Sequence, residues 1–78
     1  MNRRELWRRI SQRPRSTRFD EIDRLLQLAG WELNHVRGSH HVYRSIEGRH
    51  LSIPRHGSSV KVHYVELVLD ETKEPDDD

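Results

Sequence analysis

Between Phe19 and Leu33 the apolar residues change period, and Gly30 marks the change. Phe19, Ile22, Leu25, Leu26 and Ala29 recur at three- and four-residue steps, the spacing of one helix face. This predicts a helix over 18–29, with Thr17 as N-cap and Asp20 close to a capping box. Gly30 stands where a left-handed residue would end that helix. Beyond it Trp31, Leu33 and His35 alternate with Glu32, Asn34 and Val36, the period of a strand. A helix running straight into a half-apolar strand must build a sheet with one covered face.

The rest of the chain supplies that sheet. Gly38-Ser39 is a turn signal, residues 40–45 read as a second strand, and Gly48 lies in a second turn. A third strand over 50–54 contains Leu51 and Ile53 and stops at Pro54, which has no N–H for a ladder. Short strands joined by tight turns make an antiparallel meander. Residues 60–71 are ambiguous: Val60, Val62 and Tyr64 alternate, while Val62, Val65, Val68 and Leu69 keep helical spacing. A helix is expected, because three bare strands need a cover. In front of all this, Leu6, Trp7 and Ile10 share one side of a further helix whose other side is arginine. The expected class is therefore α+β: helix, three-stranded antiparallel sheet, helix, preceded by a basic N-terminal helix. The divisions are 1–16 for that helix and its linker, 17–71 for the main domain and 72–78 for an acidic tail.

Seventy-eight residues suffice for one domain, and 32% hydrophobic content makes its core thin. With no cysteine, thiolate metal sites, disulfides and Cys nucleophiles are excluded. No apolar run reaches the length of a membrane span, so a soluble, cytoplasmic protein is expected. Charge is unevenly placed. Residues 1–18 hold seven arginines against one glutamate, and residues 66–78 hold seven acids against one lysine. Before the acidic end, 13 Lys and Arg face six acids. Arginine's planar fork matches phosphate, so this body suits a polyanion. With only five Trp, Tyr and Phe residues, contact through phosphates and 2′-hydroxyls is favoured over base stacking.

The segment R37-G-S-H-H-V-Y-R44 places two of the six histidines on a strand between arginines. Zinc is one reading of them. Yet His40 and His41 point to opposite faces of a strand, and His40, His56 and His63 match no zinc-ligand spacing. Acid–base catalysis is the other. Cleaving RNA by transesterification needs a base for the 2′-hydroxyl, an acid for the 5′-oxygen and cations at the phosphate. Histidines serve the first two roles without a metal, and Arg37, Arg44, Arg55 or Lys61 the third. Composition and spacing allow this chemistry without selecting it over a surface that only binds RNA.

A resemblance sharpens the choice. R37-G-S-H-H-V-Y-R44, then L51-S-I-P-R-H56, then V60-K-V-H-Y-V-E-L-V-L69 resemble the HicA family of toxins from toxin–antitoxin systems, as does F19-D-E-I-D-R-L-L-Q-L-A-G-W31 before them. The resemblance covers about residues 18 to 71. It implies a double-stranded-RNA-binding-domain-like fold with both helices on one sheet face. It also implies a metal-independent endoribonuclease that cleaves mRNA, blocks growth and is silenced by a HicB-like antitoxin. In this sequence the family's active histidine corresponds to His40, with Gly38 and Ser39 completing the motif and His56 matching the histidine after the proline. Arg37, Arg44, Arg55 and Lys61 are the expected RNA contacts, with no cofactor or metal. The free chain is expected to be a monomer. The alternative is a non-catalytic RNA-binding or partner-binding module of the same fold.

Overall fold

The computed structural model describes residues 1–74. The expected acidic tail lies outside them from residue 75 onward; Thr72 belongs to the last helix. The order is α1 (Arg3–Gln12), a 3-10 turn (Pro14–Ser16), α2 (Phe19–Leu28), β1 (Glu32–Arg37), β2 (His40–Arg44), β3 (His50–Pro54) and α3 (Val62–Thr72). The strands form one antiparallel sheet in the order β1-β2-β3. Residues 62–72 resolve to a helix because Val65, Val68 and Leu69 share its buried side.

Antiparallel register decides which side chains share a face. Tyr43 pairs with Leu51, and His41 with Ile53. Tyr43, Leu51 and Ile53 are buried with Phe19, Ile22, Leu25 and Leu26 of α2 and Val65, Val68 and Leu69 of α3. The phenol of Tyr43 donates to an Asp23 carboxylate oxygen of α2 at 2.7 Å. Burial, then that hydrogen bond and its negative charge, push the phenol far above its ordinary pKa. The opposite face, carrying His40, Val42, Arg44, His50 and Ser52, has no helix over it.

Two local expectations need correction. The N-cap of α2 is Arg18, one residue after Thr17, whose hydroxyl instead donates to the Arg13 carbonyl. Glu21, not Asp20, takes the third helical position and accepts from the Arg18 N–H at 3.0 Å. The second correction is in β1. Its register shifts between Leu33 and His35, so Asn34 is an extra residue and simple alternation fails. Leu33 and Val36 therefore share the helix side, opposite Tyr43 and His41, while His35 turns to the bare face beside Val42.

α1 joins this core through Leu6 and Ile10. A reciprocal capping box starts it: Asn2 accepts from the Glu5 N–H at 2.9 Å, and Glu5 accepts from the Asn2 N–H at 3.2 Å. It also serves α3. The Trp7 indole N–H donates to the Leu69 carbonyl at 2.9 Å, and Arg3 donates to the Thr72 carbonyl at 2.8 Å. Carbonyls in the last turn of a helix lack internal partners, and a cation there complements the helix dipole. Glu21 ties the other side by accepting from Arg13 and facing Arg9 at 3.7 Å.

Candidate active site on the bare sheet face

His40 opens β2 immediately after the Gly38-Ser39 turn, where Gly38 has φ +61°. That left-handed angle favours glycine and reverses the chain tightly enough for Arg37 to pair with His40. On its other side His40 pairs with Pro54 at the end of β3. The ring is exposed, and its Nδ1 lies 3.1 Å from the Ser52 hydroxyl oxygen. A hydroxyl at Nδ1 leaves Nε2 as the ring nitrogen available to a substrate, and orients the ring about its Cβ–Cγ bond.

Ser39 is exposed in the turn, and its carbonyl accepts from the Arg55 N–H at 2.7 Å. This bond fastens the Gly-Ser turn to the chain leaving β3 and brings His56 to the same corner as His40. The His56 backbone is pinned by exchanged bonds with Ser59 at 2.9 and 3.2 Å, and its side chain is exposed. The backbones of Arg37, Gly38, Ser39, His40 and Arg55 thus meet at one corner from two chain segments, and His56 follows Arg55 directly.

The remaining expected contacts are spread out. Arg44 lies on the same face but at the far end of β2, about 13 Å along the strand, paired with Glu32 and His50. Arg55 is exposed, with its guanidinium 4.7 Å from the Phe19 ring centre and its Nε donating to the Gly57 carbonyl at 2.7 Å. Both contacts hold the guanidinium on the helix side, where Phe19 packs against His41, so this expected RNA contact does not share the bare face with His40. Lys61 is the exposed N-cap of α3, apart from the His40 cluster in sequence and on another element.

His41 shows what the neighbouring position does. Its ring packs against Phe19 at 4.6 Å between centres, half-buried on the helix side. One imidazole serves packing while the next faces outward. Ser52 is the residue sequence reasoning missed. Only the β2–β3 register, which sets Val42 opposite Ser52 and His40 two residues away on that face, would have pointed to it. Among the described residues no group of three or more His, Asp or Glu side chains is placed to hold a metal ion.

Two helices and an N-terminal addition behind a three-stranded antiparallel sheet, with a histidine on the bare face, define a small α+β domain with one sheet face left open. The particular family follows from comparison: residues 19–72 match the model described as HicA toxin of bacterial toxin-antitoxin. The chain belongs to the HicA toxin family. Neither a curated protein nor a solved structure matches it. α1 precedes the matched region, so the clamp it places on α3 is an addition to it.

Proposed function

We propose that this chain is the toxin of a toxin–antitoxin pair and acts as a metal-independent endoribonuclease on mRNA, with His40 as general base. The observation that carries this reading is the exposed His40 ring on the uncovered face, held at Nδ1 by Ser52. In the proposed step, Nε2 takes the proton of a ribose 2′-hydroxyl and that oxygen attacks the adjacent phosphorus. The bond to the 5′-oxygen breaks, and His56 gives the leaving oxygen its proton. The products are a 2′,3′-cyclic phosphate and a 5′-hydroxyl, so the protons balance without water or metal. Ser39 and the Gly38 backbone approach the phosphate, and Arg37 stabilises its charge. Arg44 and Lys61 extend the contact along the RNA, giving weak sequence preference. A HicB-like antitoxin would silence the chain by covering this face, in the cytoplasm where mRNA is found.

The test is RNA cleavage by purified protein in excess chelator. Cleavage with cyclic-phosphate ends supports the proposal. Activity lost to chelator and restored by zinc would replace it with metal catalysis. RNA bound with no cleavage would make the chain a binding module, the second reading the fold permits.

A further inference from the structure

The sheet has an edge that the helices leave unattended. β1 pairs with β2 on one side only, and all six of its residues are exposed. On the helix side Leu33 and Val36 are 46% and 51% exposed, unlike Tyr43 and Ile53, which are completely buried. The layer of helices stops short of this strand. An exposed strand with apolar side chains and unpaired backbone groups is a template for another strand.

The sequence of β1, E32-L-N-H-V-R37, indicates which strand fits. Laid antiparallel against itself with the two-fold between Asn34 and His35, it sets Glu32 opposite Arg37, Leu33 opposite Val36 and Asn34 opposite His35. The faces agree as well. Glu32 and Arg37 both lie on the bare face, opposite Arg44 and His40 of β2, and Leu33 and Val36 both lie on the helix side. Each charge meets its opposite and each apolar residue an apolar one, twice over, as an isologous two-fold contact requires.

From this complementarity we infer that two copies of the chain pair through β1 to make a continuous six-stranded antiparallel sheet. The free chain is then a dimer at sufficient concentration, in place of the monomer expected from composition. A two-fold perpendicular to the sheet keeps faces together, so both His40 clusters lie on one side, on the order of 20 Å apart given strand spacing and rise. The helices of both copies flank the Leu33–Val36 patch on the other side. The contact is one strand wide, below the area of permanent interfaces, so association is reversible and concentration-dependent.

Sedimentation of the full chain over a concentration series tests this independently of any RNA chemistry. Wild type is expected to self-associate. Glu32→Arg alone and Arg37→Glu alone each place like charges opposite one another and weaken self-association about tenfold or more. An equimolar mixture of these two variants restores complementary pairs and is expected to form the heterodimer. Circular dichroism on each variant checks that the exposed substitutions leave the fold intact. Wild type that stays monomeric at every concentration would overturn the inference and make the bulge and end charges protection against pairing. So would a mixture that associates no better than its components, or an edge filled only when an antitoxin is added.

Discussion

The two faces of one short sheet use the same residue types for opposite ends. His41 and Tyr43 point inward, where His41 packs on Phe19 and Tyr43 is bonded to Asp23. His40 and Ser52 point outward, where their contact holds an imidazole in solvent. The lesson is that a side chain's surroundings in this sheet depend on strand parity. A histidine gains a packed or an exposed position by moving one residue, because successive side chains of a strand face opposite ways.

Substitutions on neighbouring positions sharpen that contrast. Ile53→Ala is expected to cost about 2–5 kcal/mol, since it empties a fully buried position under α2 and α3. Ser52→Ala, one residue earlier on the bare face, should change stability by less than about 0.5 kcal/mol. Paired chemical denaturation curves measure both, and equal losses would erase the distinction between the faces. Tyr43→Phe removes a hydrogen bond to a carboxylate and is expected to cost about 1.5–3 kcal/mol. The same denaturation experiment reads it, and a neutral result would mean Asp23 is satisfied by other means.

Glu21 allows a pH test of the helix side. Burial acts to raise its pKa. The Arg13 hydrogen bond, the Arg18 N–H and the charges of Arg13 and Arg9 outweigh that and hold it below the usual carboxylate range. A carboxyl lowered in the folded state adds stability above its unfolded pKa, and that stability is lost as pH falls through the folded value. Wild type should therefore lose a stability increment below about pH 4 that Glu21→Gln lacks, with the variant about 1–2 kcal/mol less stable near neutrality. Parallel pH profiles for the two proteins would refute the assignment. The smallest effect belongs to the bare face. Arg44→Ala should lower the slope of log RNA affinity against log salt by about one contact while leaving the fold unchanged. An unaltered slope would remove Arg44 from the RNA surface.

Much of this arrangement was legible because period and turn chemistry are local. The stripe from Phe19 to Ala29, the left-handed Gly30 and the Gly38 turn each declared themselves. The bulge at Asn34 did not, because Trp31, Leu33 and His35 read as one face of a regular strand and left Val36 with Glu32 and Asn34 on the other. Only pairing with β2 shows that Leu33 and Val36 share a face. Ser52 was hidden for a related reason: its role depends on a residue twelve positions away, brought close by register. The cap of α2 moved from Thr17 to Arg18 because the β3–α3 loop reaches back, with the Ser58 carbonyl accepting the Phe19 N–H at 2.8 Å. The cationic body as a whole reads as polyanion chemistry, yet within it Arg3 and Arg13 are held by Thr72 and Glu21. Charge counts do not reveal which cations are already committed.

The most direct measurement compares adjacent histidines in a single metal-free RNA cleavage assay. His40→Ala is expected to lose at least about a hundredfold in rate with its melting temperature unchanged, the scale of a removed general base. His41→Ala is expected to keep cleaving at a temperature where it remains folded, although lost packing on Phe19 lowers its stability. Cleavage surviving His40→Ala, or abolished only by His41→Ala in a folded protein, would contradict the account.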